Sequence, residues 1–163
     1  MKSLLLLRHA EAQAASADGG DHERSLTRRG QTQARALGRW LKRRDVTPGR
    51  ILCSSATRAR QTAESVTRTA GWNVPLHAVD GLYNATADTM LDLVRHQSGE
   101  DERVLLVAHA PGVGDLASLL VTRHVDLALV CEPATLIEIV FDAASWTDVA
   151  ARRGALRLVL PSD

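Results

Sequence analysis

Short, continuous apolar runs alternate along this chain with longer segments in which apolar residues recur every three or four positions. The runs within Leu4–Leu7, Arg50–Cys53 and Arg103–Ala108 have the length and composition of buried parallel strands. The segments between them have the spacing of amphipathic helices, each of which buries one face against a sheet. This alternation of strand and helix predicts an α/β fold.

The first two predicted helices have recognisable ends. Thr27 is a candidate N-cap for a helix over residues 27–44. The second helix is expected to begin near Ser54 and Ser55, which can cap it, and to end at Gly71. The apolar faces of the two helices consist of Ala34, Leu37 and Leu41, and of Ala59, Ala63, Val66 and Ala70.

Further elements continue the alternation. Val74–Val79 is predicted as a strand interrupted by Pro75, and Thr86 as the start of a third helix. Pro111 suits the first position of a fourth helix. The residues expected to face inward from these helices are Met90, Leu91 and Val94, and Val113, Leu116, Ala117 and Leu120.

The C-terminal third predicts two strands, Thr135–Phe141 and Ala155–Leu160, which we expect to form an antiparallel hairpin at the sheet edge. The order β-α-β-α-β-α-β-α-β-β predicts a three-layer α/β/α sandwich with a mostly parallel sheet and an antiparallel edge. Chains rarely divide into separate cores below about 250 residues. We therefore expect residues 1–163 to form a single domain.

The charge balance excludes some classes of partner. With 20 basic and 19 acidic residues the formal net charge is +1, which provides no long-range field to gather nucleic acid or an anionic membrane. The basic clusters Arg28-Arg29 and Arg39–Arg44 lie in the first predicted helix, and we interpret them as its solvated face. We expect no nucleic-acid and no membrane partner.

Neither a targeting segment nor a cofactor motif is predicted. The leucine run near Met1 is shorter than the roughly 7 to 15 residues of a signal-peptide core. Cys53 and Cys131 have neither metal-binding nor redox spacing, so we expect a cytoplasmic location. The pair Gly112-x-Gly114 lacks the rest of a nucleotide-binding motif. We expect no metal and no cofactor. Four further histidines have no metal-binding spacing, and we interpret them as surface or structural residues: His22, His77, His96 and His124.

Two of the predicted strands end at a histidine. Arg8 and His9 follow the first leucine run and precede a small, polar segment, Ala14–Gly20, that is predicted as a loop. His109 follows the strand at 103–108. A histidine after a strand commonly has only a structural role, but ligands of open α/β sheets bind beyond the carboxyl ends of the strands. The repeated arrangement therefore favours an active site that contains both imidazoles.

Arg58 is expected in the first turn of the second helix, where its guanidinium would add to the positive end of the helix dipole. Arg8 and Arg58 could each bind a phosphoryl group through two parallel hydrogen bonds. Beside them a neutral His9, its pKa depressed by the positive charge, could attack phosphorus and form a covalent phosphohistidine. His109 could donate hydrogen bonds to the phosphoryl oxygens, and would do so best when protonated.

Four motifs occur in order over the first two thirds of the chain: Leu7–Ala12, Arg24–Gly30, Ser54–Ala63 and Ala108–Gly112. In order and spacing they resemble the motifs of the histidine phosphatase superfamily, which includes phosphoglycerate mutases and cofactor-independent acid phosphatases. The short length, without a long insertion after the second helix, is most similar to the phosphohistidine phosphatase branch. The resemblance implies a phosphoglycerate mutase-like sheet. It also implies that His9 is the nucleophile, that Arg8 and Arg58 bind phosphate, and that His109 is the second histidine of the pocket.

Two positions depart from the superfamily pattern. Ala10 replaces the glycine that usually follows the Arg-His pair, which adds one methyl group. Asn84 lies near the place where many members have a glutamate that protonates the leaving group. The candidate donors that remain are Glu11, Asp80 and Asp88, although a loop carboxylate is more often only a solvated charge. Proton donation contributes typically about 10²- to 10⁴-fold. A phosphoramidate, whose labile P–N bond needs less assistance, is therefore favoured over a sugar phosphate.

The predicted function is hydrolysis of phosphohistidine through a covalent intermediate at His9, with a phosphorylated protein such as a histidine-containing phosphotransfer domain as substrate. The alternative is a broad-specificity phosphomonoesterase that acts on small phosphorylated molecules. A mutase is disfavoured because the chain lacks an extra segment to enclose a carboxylate-bearing phosphoester. A non-catalytic phosphate-binding module is disfavoured because the chain contains all four residues that the resemblance places in the pocket: Arg8, His9, Arg58 and His109.

Overall fold

The computed structural model describes residues 1–15, 20–121 and 129–162. These residues form a six-stranded sheet and four α-helices. The strands are β1 (Lys2–Arg8), β2 (Arg50–Ser54), β3 (Leu76–Val79), β4 (Arg103–Ala108), β5 (Leu136–Phe141) and β6 (Ala155–Leu160). The helices are α1 (Arg28–Arg43), α2 (Thr57–Ala70), α3 (Ala87–Gln97) and α4 (Gly112–Val121). Short 3₁₀ helices cover Asp21–Glu23, Asp80–Leu82 and Trp146–Asp148.

The order of strands across the sheet is β3-β2-β4-β1-β5-β6. The first four strands are parallel, whereas β5 pairs antiparallel with both β1 and β6. The predicted mixed sheet with an antiparallel edge is therefore confirmed. Because β1, β2 and β4 are parallel neighbours, their carboxyl ends meet at one edge of the sheet, which is where open α/β folds bind ligands.

Both faces of the sheet are covered, so the predicted three-layer arrangement is confirmed. Successive side chains of a strand point to opposite faces. Leu5 and Leu7 pack with residues of α1 and α2, while Leu4 and Leu6 pack with residues of α3 and α4. Each of these leucines is at most 1 % exposed, and burial of one leucine contributes about 1.5 to 3 kcal/mol. Strand β1 is thus firmly held directly before His9.

Threonine caps begin two of the helices, as predicted. The hydroxyl of Thr27 accepts a hydrogen bond from the N–H of Gly30 at 3.0 Å, and the hydroxyl of Thr86 accepts one from the N–H of Thr89 at 3.3 Å. Gly71 ends α2 with a φ of 76°, a left-handed conformation that glycine adopts without steric cost. These helix ends depend on residues that are close together in the sequence, which is why they could be predicted correctly from the sequence.

The predicted cap of α2 is wrong. Ser54 is the last residue of β2, and Ala56 occupies the N-cap position without a side-chain hydrogen bond. The hydroxyl of Ser54 does accept a hydrogen bond from the N–H of Ala56 at 3.3 Å, but this bond closes the turn before the helix. The helix begins at Thr57, which still places Arg58 in its first turn.

Two other boundaries differ from the prediction. Strand β3 begins at Leu76 rather than Val74, because Pro75 has no N–H to donate to the strand ladder. Helix α4 begins at Gly112, one residue after Pro111. Both differences are small, and neither changes the order of the elements.

Two sequence predictions fall outside the described residues. Residues 16–19 of the predicted loop Ala14–Gly20 are among those not described, and so is His124. In the part of the chain that is described, no helix combines the length and apolar character needed to cross a membrane.

Candidate active site

Three parallel strands bring the four predicted site residues to one pocket. Arg8 ends β1 and His9 follows it, while His109 follows β4 and Arg58 lies at the start of α2 after β2. All four line a pocket of about 330 Å³. The other residues that line this pocket are Glu11, Ala12, Asp21, Arg24, Asn84, Ala110 and Pro133.

The imidazole of His9 is fixed by different partners at its two nitrogens. Its Nδ1 lies 2.7 Å from the carbonyl oxygen of Ala10, so Nδ1 carries the proton and donates it to that oxygen. Its Nε2 accepts a hydrogen bond from Nε of Arg58 at 3.3 Å. The ring is 8 % exposed. Nε2 therefore has the lone pair that a nucleophile requires, and the ring is oriented by its neighbours.

Burial lowers the pKa of His9 from its ordinary value of 6.5 to about 4, because desolvation disfavours the imidazolium ion. The hydrogen bond to Ala10 opposes this shift, and the charges of Arg58 and Arg8 reinforce it. The expected neutral imidazole is confirmed. The nearby positive charges do lower this pKa, as predicted, but burial lowers it more.

His109 lies beside His9, with 5.1 Å between the ring centroids and 60° between the ring planes. Its Nε2 is 2.8 Å from the hydroxyl oxygen of Ser54, a residue that is fully buried. This bond explains what the Ser54 side chain does instead of capping α2. Nδ1 of His109 is buried and has no hydrogen-bond partner among the described residues.

The pKa of His109 is lowered to about 3, chiefly by burial and then by the nearby charges of His9 and Arg58. His109 is therefore unprotonated in the ligand-free protein, although we expect it to donate best when it is protonated. At neutral pH both imidazoles of the pocket are uncharged. A positive His109 requires an anion that compensates its charge.

We expect the free energy of unfolding to fall as the pH drops below about 6.5. Unfolded histidine has a pKa near 6.5, whereas His9 and His109 have a pKa of about 4 and about 3 in the folded protein. The unfolded state therefore binds more protons, and stability is lost from pH 6.5 down to the folded pKa values. Each group contributes up to about 1.4 kcal/mol per pH unit in this window.

Urea unfolding at about pH 7.5 and pH 5 measures this dependence. A His9→Asn/His109→Asn variant should lose much less stability between the two pH values than the wild type. The remaining loss in the variant reports the other titrating groups. Equal losses in the two proteins would contradict a low pKa for these histidines.

Arg58 is 3 % exposed and uses three of its five N–H groups within the protein. Besides the bond from Nε to His9, Nη1 donates to the carbonyl oxygen of Asp21 at 2.6 Å and Nη2 to its carboxylate at 3.1 Å. Each terminal nitrogen therefore keeps one hydrogen. Arg58 could orient Nε2 of His9 and still bind an anion in the pocket.

Arg8 is the cation of the pocket that lies at the end of β1. Its Nη1 donates to the carbonyl oxygen of Cys131, and its Nε is buried without a hydrogen-bond partner among those residues. Burial lowers the pKa of Arg8 from its ordinary value, and the charge of Glu132 opposes this shift. Within the described ranges it forms no ion pair with a carboxylate. An anionic ligand would compensate this charge.

Asp21 is a wall residue that the sequence prediction missed. Its carboxylate accepts hydrogen bonds from the hydroxyl of Tyr83 at 2.6 Å, from Arg24 at 2.9 Å and from Arg58. The bond from Tyr83 is the main cause that lowers the pKa of Asp21 to about 2. Asp21 is therefore an anion at neutral pH. The Asp21-x-x-Arg24 spacing was visible in the sequence, but the surrounding segment is too irregular to show what it faces.

Of the three candidate proton donors, Glu11 alone lines the pocket. Asp80 and Asp88 do not line the pocket, whereas Asn84 does. Glu11 lines it, but one of its carboxylate oxygens accepts a hydrogen bond from the hydroxyl of Thr27 at 2.6 Å. The pocket wall therefore contains the amide of Asn84 near the place where, as the resemblance implies, many superfamily members have a glutamate.

The histidines outside this pair have other contacts. His22 follows the pocket residue Asp21; its Nε2 is 3.0 Å from the hydroxyl oxygen of Ser55, and its ring centroid is 5.0 Å from that of Tyr83. His96 lies with Nδ1 2.7 Å from the carbonyl oxygen of Asp92. Within residues 1–15, 20–121 and 129–162, no three His, Cys, Asp or Glu side chains are placed to share a metal ion.

Comparison with known proteins identifies the family. The model of the histidine phosphatase superfamily (branch 1) matches residues 4–90, a segment that includes Arg8, His9 and Arg58. The chain belongs to this superfamily. The resemblance predicted from the four motifs is therefore confirmed, and the protein is a histidine phosphatase.

Two solved structures and one sequence relative are similar to this phosphatase over nearly their whole length. The SixA protein of Agrobacterium tumefaciens, assigned as a phosphohistidine phosphatase, is 26 % identical with a TM-score of 0.81, covering 98 % of this chain and 97 % of its own. The SixA protein of Nakamurella multipartitia, assigned likewise, is 29 % identical with a TM-score of 0.83, covering 99 % and 96 %. The uncharacterized protein Rv1276c of Mycobacterium tuberculosis is 32 % identical over 157 residues, which is 92 % of this chain and 96 % of the relative.

Proposed function

We propose that this phosphatase hydrolyses phosphohistidine in proteins, with His9 as the nucleophile. The observation that carries the proposal is Nε2 of His9, which is unprotonated, held by Arg58 and placed in a pocket that Arg8 and His109 also line. A neutral imidazole beside two guanidinium groups is suited to attack a phosphoryl group.

The reaction proceeds in two displacements. Nε2 of His9 attacks phosphorus, a new P–N bond forms, and the P–N bond of the substrate breaks as its imidazole leaves with a proton from solvent. Water then attacks the phosphorus on His9, which releases inorganic phosphate and restores the neutral ring. Arg8 and Arg58 bind the equatorial oxygens, and His109 donates a hydrogen bond to them as charge develops.

The wall of the pocket supports phosphohistidine over an alkyl phosphate. Asn84 cannot protonate a leaving group, Asp21 is ionised, and Glu11 is held by Thr27. An alkoxide leaves poorly without an acid, whereas imidazole is protonated readily by solvent. The two similar SixA proteins are assigned as phosphohistidine phosphatases, which agrees with this argument. The free, buried thiols Cys53 and Cys131 agree with the reducing cytoplasm as the place of action.

Substrate profiling tests the proposal. We expect kcat/KM for phosphohistidine and for p-nitrophenyl phosphate to exceed that for 3-phosphoglycerate by about 10²-fold or more, because only the last needs an acid. The measurement is phosphate release at matched enzyme concentration. Equal or better activity on 3-phosphoglycerate would refute the preference and favour the small-molecule phosphomonoesterase.

Asn84→Asp is the matched variant for this experiment. Asn84 has a φ of 52°, a left-handed conformation that Asp tolerates as Asn does. The new carboxyl group should raise activity on the alkyl phosphate relative to phosphohistidine. The ratio of the two activities, rather than either one alone, reports proton donation.

A further inference from the structure

We propose that the exposed face of α1, together with the groove beside it, is a docking surface for an acidic face of the protein substrate. This inference rests on the proposed function, since it concerns how a phosphorylated protein reaches the pocket. Residues 28–44 contain no Asp or Glu. Their cations are Arg28, Arg29, Arg35, Arg39, Lys42, Arg43 and Arg44.

The charge of this face is largely uncompensated. Within the described residues, Arg29 alone of these cations forms an ion pair, at 3.5 Å from Glu11. Arg35 donates to the hydroxyl of Thr32, and Arg44 lies 4.5 Å above the ring of Trp40. The whole chain has 20 basic and 19 acidic residues, and 7 of the basic ones lie in this segment, so the remaining residues sum to a charge of −6 and the positive charge is concentrated here. A local field of this kind orients a protein partner.

A groove of about 420 Å³ runs beside the cations. Its apolar lining includes Leu37, Trp40 and Leu160, and its basic lining includes Arg29 and Arg43. These two arginines are fourteen positions apart on one helix, which corresponds to about 21 Å. Apolar contact between two cationic ends fits an amphipathic, acidic protein segment. A nucleic acid backbone would make no use of the apolar lining.

Gln33 connects the groove to the catalytic pocket. This buried side chain lines the groove, and its Oε1 accepts a hydrogen bond from the N–H of Glu11 at 3.0 Å. Its Nε2 donates to the hydroxyl of Ser162 at 3.2 Å, which in turn donates to the carbonyl oxygen of Pro133 at 2.6 Å. Glu11 and Pro133 line the catalytic pocket. A protein seated on α1 therefore lies directly beside the pocket.

The experiment compares one leaving group in two settings. The substrates are free phosphohistidine and a histidine-containing phosphotransfer domain of net negative charge, phosphorylated on histidine with phosphoramidate. For an Arg39→Glu/Arg43→Glu variant, we expect kcat/KM on the phosphorylated domain to fall about tenfold and to depend less on salt. Activity on free phosphohistidine should not change, which also shows that the variant is folded.

The control is an Arg68→Glu/Arg153→Glu variant, which makes the same charge change at exposed arginines away from the groove. We expect this variant to match the wild type on both substrates. An equal loss in the two double variants would overturn the docking surface in favour of a general charge effect.

The remaining outcomes separate the docking surface from the proposed function. If the wild type hydrolyses neither substrate, the proposed function fails. If the wild type hydrolyses both and the Arg39→Glu/Arg43→Glu variant does so equally well, the docking surface is overturned while the function stands. If the Arg39→Glu/Arg43→Glu variant keeps full activity on both substrates but no longer binds single-stranded RNA, the surface recognises nucleic acid and the proposal is overturned.

Discussion

Replacing His9 by alanine is expected to lower turnover of p-nitrophenyl phosphate and of phosphohistidine by at least about 10⁴-fold. The expectation follows from Nε2 of His9, which is unprotonated because Nδ1 carries the proton and donates to Ala10. No other buried imidazole among the described residues is held by an arginine in the same way, so the loss should be nearly complete. Initial rates, with no metal added, measure the effect.

Trapping the intermediate makes the experiment on His9 more specific. Acid-labile phosphate bound to the enzyme should accumulate in the wild type and be absent from His9→Ala. A His22→Ala variant is the matched control, because His22 is an imidazole next to the pocket residue Asp21 in sequence but contacts Ser55. It should keep its activity within a few-fold. Activity that survives in His9→Ala would exclude His9 as nucleophile, and inactivation of the wild type by a chelator would indicate a metal-dependent reaction.

The convergence of the four site residues could be predicted because each lies at a position that parallel topology controls. Strands β1 and β4 are adjacent and in register, with Arg8 opposite Ala108, so His9 and His109 must be neighbours. Arg58 follows β2, which pairs with β4. Apolar runs and helical spacing identified these elements from sequence, and the direction of the strands determined the rest.

The wall of the pocket could not be predicted in the same way. Asp21 reaches Arg58 and Tyr83 from a short 3₁₀ helix, and the sequence around it has no periodicity that indicates the direction of a side chain. Ser54 had the residue type of a helix cap, and only the packed structure shows that its hydroxyl contacts His109.

The protonation states were also beyond the sequence. Positive charge near His9 is apparent from Arg8 and Arg58, but the larger effect on its pKa is burial, which depends on packing from both layers. The same is true of His109. The sequence motifs therefore predicted which side chains meet in the pocket, but not the main physical cause of their pKa values.

Replacing Arg58 by alanine is expected to lower kcat/KM on p-nitrophenyl phosphate by about 10³-fold, because catalytic arginines that stabilise a phosphoryl transition state contribute on this scale. Arg58 donates a hydrogen bond to Nε2 of His9, and two of its N–H groups are not used by Asp21 or His9, so they could bind the phosphoryl oxygens. Arg58→Lys should recover little of the loss, since an ammonium group cannot reproduce the planar donor geometry. Arg24→Ala is the control, because Arg24 also lines the pocket and bonds to Asp21 but does not contact His9.

The pKa of His9 in Arg58→Ala shows whether Arg58 acts by orienting Nε2 and binding the phosphoryl group, or only by lowering that pKa. Burial is the main cause of its pKa of about 4, and the charge of Arg58 is a lesser one. An NMR titration of His9 in Arg58→Ala should therefore still give a pKa well below 6.5, while turnover is nearly lost. If the pKa instead returned to the ordinary value and activity recovered at high pH, Arg58 would act by keeping His9 unprotonated. Full activity in Arg58→Lys would likewise contradict binding through a planar pair of donors, since a point charge would then suffice.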